Sequence, residues 1–172
     1  SNINMDSLKL YMKDYNFLIS SNFGNYMIDL VDSNSFLSKS ESDIIILFLD
    51  LDELNEDIED IINAVDQFIS ATNKTIIINT MCYTPRYLDT FLNKSLEVEL
   101  NANIKLLNYS RKNSNVLLLD FSKLIKQNNF FDEKYWYMAR IKFSKIGFEL
   151  IAEEIRRIIN TYKYGSKKVL IL

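Results

Sequence analysis

A short polar stretch follows the first apolar run of the chain and contains two serines that could act as nucleophiles. Phe17-Leu18-Ile19 runs into Ser20-Ser21-Asn22-Phe23-Gly24, which is typical of a strand that ends and turns into a helix. In open α/β sheets, chemistry takes place just beyond the carboxyl ends of the strands. A serine on such a turn can attack an ester while helix amides stabilise the oxyanion. The alternative is a polar N-cap on the following helix.

Histidine is absent from the sequence, which excludes several kinds of catalytic and metal site. Without it the chain by itself cannot form a Ser-His-Asp or Cys-His catalytic group. Zinc sites built from histidines or from several cysteines are excluded as well, because Cys82 is the single cysteine. The same count rules out a disulfide within the chain and points to a reducing compartment. A nucleophilic serine would therefore need a lysine or a carboxylate as its base.

Two aspartates, Asp50 and Asp52, follow the apolar run at 43–49 and form a second candidate site. They resemble the Asp-x-Asp that opens haloacid-dehalogenase-type (HAD) phosphatases, where the first aspartate attacks phosphorus and both hold magnesium. Residues 77–80 (Ile-Ile-Asn-Thr) resemble the second motif of that family. The chain departs from the pattern at Leu54, where the family has Thr or Val, and no later acidic pair follows a strand. The other interpretation is a strand end followed by an acidic helix start.

A third candidate is the dense aromatic segment from Tyr135 to Ser144, which precedes the last predicted helix. Aromatic side chains in such density can bind a ligand or a partner when they are exposed. Otherwise they pack in the core.

Apolar runs alternate with amphipathic helical patterns along the chain. Continuous apolar runs at 43–49, 75–79 and 115–120 predict strands of a parallel sheet that is covered on both faces. A first strand is predicted at 16–20, helices are predicted between the strands, and Ser144 is expected to cap the last helix. This order predicts a doubly wound, three-layer α/β/α fold with a parallel sheet, of the flavodoxin-like type.

Capping and turn residues predict several local features. Asn55 is expected to cap the helix that follows the acidic strand end. Thr84-Pro85 is expected to begin a long helix that is broken near 100–102. Loops are predicted at 33–42 and 128–141.

The carboxyl-terminal third of the chain resembles a known family. The stretch from Trp136 to Ile155 is similar to the end of an SGNH (GDSL-type) hydrolase domain, in which Asp-x-x-His precedes a helix that begins with glycine and an aromatic residue. The match is closer to the amino-terminal domain of FkbH-like proteins, through Trp136-Tyr137-x-x-Arg140-Ile141-x-Phe143-Ser144 and Lys167-Lys168-Val169-Leu170-Ile171-Leu172. In that family an SGNH-like domain precedes a HAD domain of subfamily IIIC. The resemblance implies an SGNH-like domain over 1–165 and the start of the first HAD strand at 166–172.

Carried over position by position, the resemblance implies that the hydrolase site is lost. The Gly-Asp-Ser motif falls on 20–22, the Gly-x-Asn-Asp oxyanion block on 50–53, and the Asp-x-x-His pair on 139 and 142. The nucleophile position holds asparagine, or serine after a one-residue shift. Acidic groups near an oxyanion would oppose the charge that the site must stabilise. The vestigial positions are Ser21, Asn22, Asp52, Ala139 and Lys142.

The resemblance therefore implies a non-catalytic domain that serves the HAD domain by docking, by shaping the approach to its active site, or by presenting an acyl carrier protein. FkbH-like proteins are associated with loading a glyceryl unit derived from a phosphoglycerate onto such a carrier. The full-length protein is expected to be a HAD-type phosphatase or glyceryltransferase with Mg²⁺ in its HAD domain. For the present domain the resemblance implies no metal or other cofactor.

Two other functions stay open at this point. A divergent esterase could use Ser21 with Lys142 as base if burial lowers the pKa of the lysine. A small-molecule-binding domain could use a cleft near Asn22, Asp50 and Asn79 at the carboxyl ends of the strands. A structure with the serine far from the lysine would argue against the first, and a cleft filled by aromatic side chains would argue against the second.

The composition is that of one folded domain. With 172 residues and 48% hydrophobic content the chain can bury a core, and a net charge of −3 offers no basic face for nucleic acid. No apolar run reaches the about 18 residues of a membrane span, and no signal peptide is visible. We expect a cytoplasmic, bacterial protein with neither nucleic acid nor membrane as a partner. Ser1-Asn2 is a candidate cloning remnant.

Overall fold

A parallel sheet lies at the centre of the described structure. Its strands are β1 (Ile44–Leu47), β2 (Thr75–Asn79) and β3 (Val116–Leu119), in the order β1-β2-β3 with both neighbouring pairs parallel. The register places Ile45 beside Ile76 and Ile77 beside Leu117. The computed structural model describes residues 1–16, 18, 24–84, 94–127, 129–139 and 141–165.

Helices precede, connect and follow the strands. A single 3₁₀ turn, Leu51–Glu53, comes soon after β1. The α-helices of the described residues are α1 (Leu8–Tyr11), α2 (Tyr26–Val31), α3 (Phe36–Lys39), α4 (Ile58–Thr72), α5 (Lys94–Lys112), α6 (Phe121–Leu124), α7 (Glu133–Ala139) and α8 (Lys145–Tyr164).

Successive residues of β2 contribute to two hydrophobic cores on opposite faces of the sheet. Ile76 and Ile78 pack with residues of α2, α4 and α5, whereas Ile77 packs with residues of α1, α6 and α8. All three side chains are buried, as expected for a continuous apolar strand that is covered on both faces. The sheet with helices on both faces confirms the predicted three-layer α/β/α fold.

The long helices α4 and α8 both begin at a side-chain cap. Ser144 caps α8 as predicted, because its Oγ accepts a hydrogen bond from the backbone N–H of Gly147 at 3.0 Å. For α4 the predicted cap, Asn55, is wrong. The cap is Asp57, whose Oδ1 accepts from the backbone N–H of Glu59 at 2.8 Å, since the helix begins directly after it at Ile58.

Gly147 allows α8 to approach the chain near Phe130. A Cβ atom on Gly147 would lie 2.4 Å from the carbonyl oxygen of Phe130, which is backbone and has little room to move. The backbone N–H of Ser144 donates to the same carbonyl at 3.0 Å. This close approach anchors the start of α8 against the segment that precedes α7.

Three local predictions differ from the structure. The predicted loop at 33–42 contains α3, because Ser35 caps a helical turn. The predicted loop at 128–141 contains α7, whose first turn is held by the carboxylate of Asp132 accepting from the backbone N–H of Tyr135 at 3.0 Å. The break predicted near 100–102 is absent, since α5 runs unbroken through a buried Ala102.

Two other predictions fall largely outside the described residues. These are the first strand at 16–20, of which residues 16 and 18 alone are described, and the helix start at Thr84-Pro85, of which Thr84 alone is described. The segment 166–172 also lies outside them.

Candidate functional site

Lys142 and Asp50 form a buried salt bridge beyond the carboxyl end of β1. The Nζ atom of Lys142 lies 2.6 Å from Oδ1 and 2.5 Å from Oδ2 of Asp50, and the two side chains are 3% and 5% exposed. Lys142 is positioned by a short antiparallel contact in which Phe143 pairs with Phe131 and the backbone N–H of Asp132 donates to the Lys142 carbonyl at 3.0 Å. Residues far apart in sequence thus meet at one edge of the sheet.

Asp52 completes this arrangement, which we call the Asp50–Asp52–Lys142 cluster. Its Oδ2 lies 2.5 Å from Lys142 Nζ, and its side chain is 6% exposed. Thr84 donates to the same carboxylate through its backbone N–H, at 3.2 Å from Oδ2, and through its hydroxyl group. The three N–H bonds of the lysine ammonium therefore have three carboxylate oxygens as acceptors.

The cluster contains two acidic groups and one basic group in a desolvated setting. Burial raises the pKa of the Asp50 carboxyl above its ordinary value. Lys142 opposes this rise, while the neighbouring charge of Asp52 adds to it. Removing two carboxylates and an ammonium from water is costly, and their mutual contacts offset that cost only when the geometry is good.

Cys82 and Tyr83 lie close enough to feel the charges of the cluster. Burial, followed by the negative charge of Glu99, raises the pKa of the Cys82 thiol far above its usual range. Burial and the charge of Asp52 likewise raise the pKa of Tyr83, whose backbone N–H donates to Glu99 Oε2 at 3.1 Å. The thiolate is the nucleophile of a reactive cysteine, and both burial and the raised pKa disfavour this form at Cys82.

Three asparagine side chains fix the backbone around the cluster. Each accepts a hydrogen bond from the backbone N–H of one residue and donates to the carbonyl of the same residue, in the manner of a neighbouring strand. The donor–acceptor distances run from 2.7 to 2.9 Å. The pairs are Asn2 with Asp50, Asn79 with Leu49, and Asn103 with Met81. Backbone groups beyond the strand ends are thereby satisfied without water.

The three charged side chains of the cluster are bound to one another. A lysine takes a proton from a nucleophile only through a free lone pair, and an ammonium that donates to three carboxylate oxygens has none. The oxygens of Asp50 and Asp52 that a cation would use are already occupied by Lys142 and Thr84. In the described part of the chain, no group of three potential metal-ligating side chains lies together.

The structure brings some of the predicted positions together and separates others. Asp52 and Lys142 are in contact, whereas Ala139 is exposed at the end of α7. Asn79 is buried and binds backbone. Ser21 and Asn22 lie outside the described residues.

Three contributors to the site were missed by reasoning from the sequence: Asn2, Thr84 and Asn103. Pro85 predicts Thr84 as a helix cap, and the structure shows that the hydroxyl and N–H of Thr84 bind Asp52, which the sequence did not indicate. The two asparagines carry no local signal, since an isolated Asn near a loop or within a helix has no preferred distant partner. Their roles depend on tertiary contacts.

The aromatic segment divides into a buried and an exposed part. Phe143 lies in the core, with its ring centroid 5.5 Å from that of Phe130 and in T-shaped contact. Tyr137 and Met138 of α7 are among the most exposed large side chains of the described chain. The core interpretation therefore holds for Phe143, which packs with Phe130, while α7 offers a small exposed aromatic surface.

Two cavities lie away from the cluster. The larger, of about 1170 Å³, runs along β1 and is lined in part by Ile3, Met12 and Tyr26. The smaller, of about 380 Å³, lies near Lys74 at the amino end of β2. Among the described residues that line them, neither cavity includes a member of the cluster or Asn79.

Comparison with known proteins identifies one structural relative. No protein-family profile matches the chain, and no curated protein sequence matches it. A solved structure does match, described as the "N-terminal part of the protein BF1531 from Bacteroides fragilis containing phosphatase domain complexed with Mg". The TM-score is 0.79 at 16% sequence identity over 95% of the present chain. The likeness supports the fold, and the match spans half of that structure's chain.

The search for membrane-spanning segments was negative. Within the described residues, no helix combines the length and the apolar character that a bilayer crossing needs.

Proposed function

We propose that the chain is a non-catalytic SGNH-like domain of a longer, FkbH-like protein that carries a HAD-type phosphatase domain. The observation that carries the proposal is the Asp50–Asp52–Lys142 cluster. The lysine stands at the position implied for the hydrolase histidine, and the two aspartates stand in the block implied for the oxyanion hole. Instead of a base and oxyanion donors, this edge of the sheet holds a closed set of ionic contacts.

The solved relative supports the second half of the proposal. That structure contains a phosphatase domain, and the present chain matches half of its length. A fold shared at 16% identity fits an accessory domain whose architecture is kept while its sequence diverges. In this proposal the HAD domain follows the present chain and is the first partner of the domain.

The proposed role is to dock on the phosphatase domain or to present a carrier protein to it. The ionic cluster and the asparagine pairs favour a rigid carboxyl edge of the sheet, because the buried polar side-chain atoms of the described residues all have hydrogen-bond partners. A rigid edge suits docking or the orientation of a second domain more than it suits turnover. An acyl carrier protein is the proposed external partner, the glyceryl-transfer chemistry belongs to the HAD domain, and Mg²⁺ binds there.

No observation in the described residues favours the other two functions. The esterase hypothesis needs Lys142 as a base, but this lysine contacts two carboxylates. The small-molecule hypothesis needs an open cleft at Asp50 and Asn79, but both side chains are buried and neither lines a described cavity. Since Ser21 and Asn22 are not described, both hypotheses remain predictions.

The first experiment is an esterase assay on the 172-residue chain with a chromogenic short-chain ester. We expect no turnover above that of the heat-unfolded chain. Measurable hydrolysis that is lost in Ser21→Ala would overturn the proposal, because this serine is the nucleophile of the esterase hypothesis. Hydrolysis that survives in Ser21→Ala would indicate a contaminant.

A second experiment tests the accessory role in the full-length protein. Removing residues 1–165 should leave phosphatase activity toward a small phosphate ester while reducing activity toward a carrier-bound substrate. Equal activity toward both substrates after removal would contradict a presenting role. The proposal also expects the residues that follow Leu172 in the full-length protein to read Asp-x-Asp-x-Thr.

A further inference from the structure

The helix α5 carries a row of exposed aliphatic side chains that the core does not use. Leu96, Leu100, Ile104 and Leu107 are 52%, 52%, 56% and 40% exposed. Their spacing of four, four and three residues places them on one line along the helix, within an arc of about 80° at 100° per residue. We call this row the α5 stripe. Scattered exposed aliphatics are ordinary, but a continuous line of four marks an interaction surface.

The α5 stripe points away from the neighbouring helix of its layer. On the opposite side of α5, Lys105 pairs with Glu59 of α4 at 2.7 Å, and the Tyr109 hydroxyl contacts Asp66 of α4 at 3.1 Å. The core-facing side carries Ala102. The stripe therefore points away from both α4 and the core.

The charges beside the stripe are arranged so that the stripe is complementary to a second copy of itself. Glu97, in the first turn of α5, and Arg111, in the last turn, are both exposed and lie along the stripe at its two ends. The two residues are 14 positions apart, which corresponds to about 21 Å along the helix. Two such helices side by side in parallel would place like charges together. Antiparallel helices centred near Ile104 would place each Glu97 beside an Arg111.

We propose that two copies of the chain associate through α5, with the α5 stripes packed antiparallel about a two-fold axis near Ile104. In this dimer Glu97 of each copy pairs with the partner's Arg111. A two-fold interface needs a surface that is complementary to itself, and the stripe with its two charges meets that requirement. The 4-4-3 spacing covers 11 residues in three turns, which is about 3.67 residues per turn. This is close to the 3.6 residues per turn of a straight helix, so the helices can pack with little supercoiling. This inference is independent of the proposed function.

The first test measures the mass of the 172-residue chain by light scattering after gel filtration, across the micromolar concentration range. We expect the unmodified chain to shift from monomer to dimer as concentration rises. Ile104→Glu should be monomeric throughout, because it places two carboxylates at the two-fold axis. Val98→Glu is the matched control, since Val98 is a similarly exposed residue of the same helix that lies off the stripe. It should dimerise like the unmodified chain.

A second test uses charge reversal to establish the direction of the helices. Glu97→Arg and Arg111→Glu should each weaken the dimer, and the double variant should restore it, because the pairs re-form with opposite sign. In an oxidation assay, Ile104→Cys should form a disulfide-linked dimer, while Val98→Cys should not. The native Cys82 is buried and does not interfere.

The outcomes separate the proposal from its alternatives. A chain that stays monomeric across the concentration range overturns the proposal and leaves the stripe to another domain or a different protein. A dimer that Ile104→Glu does not weaken is formed elsewhere on the surface and also overturns it. A double charge reversal that fails to restore association refutes the antiparallel arrangement. Circular dichroism of each variant checks that α5 is intact.

Discussion

Replacing Lys142 with methionine tests the energetic account of the Asp50–Asp52–Lys142 cluster. Methionine keeps an unbranched chain of similar length but removes the ammonium that both aspartates contact. Asp52 keeps the two hydrogen bonds from Thr84. Among the contacts found in the described residues, Asp50 keeps only a backbone hydrogen bond from Asp52. Asp50 is therefore the group whose protonation we expect to change in the variant.

The cost of Lys142→Met can be bounded from this contact list. A buried Asp50 without its cation takes up a proton, and an ordinary carboxyl with a pKa of 3.8 resists this at pH 7 by about 4 kcal/mol, at 1.36 kcal/mol per pH unit. Measured losses on breaking a buried ion pair are about 3–5 kcal/mol. We expect the free energy of unfolding to fall by about 4 kcal/mol at pH 7. Urea denaturation followed by circular dichroism measures it.

The stability of the Lys142→Met variant should depend on pH in a direction that follows from the pKa of Asp50. In the variant, burial holds the folded-state pKa of Asp50 above its unfolded value, so the folded state binds more protons between the two values. Stability then falls as the pH rises through this window and is regained on acidification. The difference in the free energy of unfolding between the variant and the unmodified chain should therefore become smaller as the pH is lowered toward the ordinary pKa of aspartate.

Two variants serve as controls for this prediction. Lys145→Met removes an exposed lysine whose ion pair with Glu149 is loose, at 3.9 Å, and should cost less than about 0.5 kcal/mol. Adding Asp50→Asn to Lys142→Met should recover most of the loss, since no unpaired charge then remains at Asp50. A loss below about 1 kcal/mol for Lys142→Met, or no recovery in the double variant, would refute the reasoning.

Three further predictions follow from other contacts. Asn79→Leu leaves the buried N–H and carbonyl of Leu49 without partners and should cost about 2–4 kcal/mol in urea denaturation. Gly147→Ala forces a Cβ atom against the Phe130 carbonyl and should cost about 1–3 kcal/mol, measured in the same way. Cys82, with its raised pKa and buried thiol, should react with a disulfide reagent at pH 8 in the unfolded chain and hardly at all in the folded chain.

Each of these has a result that would contradict it. An Asn79→Leu variant as stable as Asn108→Leu, a change on the exposed side of α5, would show that the asparagine pair contributes little. A fully stable Gly147→Ala variant would mean that the segment at Phe130 moves aside at no cost. Rapid labelling of Cys82 in the folded chain would mean that the region around Met81 opens readily.

The fold was predictable because its signals are local and repeated. The apolar runs at 75–79 and 115–120 are β2 and β3 within one residue, and β1 lies inside the run at 43–49. A continuous apolar run can be buried only when both faces of the sheet are covered, which favours parallel strands with helices on each side. Local propensity failed at α7, where the Asp132 cap and the Phe131–Phe143 contact organise an aromatic segment that has no clear helical period.

The candidate site was predictable in its members but not in its contacts. The sequence singles out Asp50 and Asp52 as an acidic strand end, and Lys142 as the position where the family resemblance implies a histidine. The lysine is 92 residues from Asp50 and 90 from Asp52 in sequence. They meet because Phe143, next to the lysine, packs against Phe48 and pairs with Phe131. The contacts of Thr84 with the Asp52 carboxylate and of Asn103 with the Met81 backbone were missed, since a bond to a distant partner leaves no periodic trace in the sequence.

By itself the sequence determined the layered α/β architecture and excluded, for this chain, catalytic or metal sites that need histidine. Both follow from residue type and spacing alone. The tertiary structure decided that Lys142 fills its position as a cation shared by two buried carboxylates, and that the α5 stripe faces outward. The physical reason is the same in both cases: burial and pairing depend on which distant surfaces meet, and local spacing does not determine which surfaces those are.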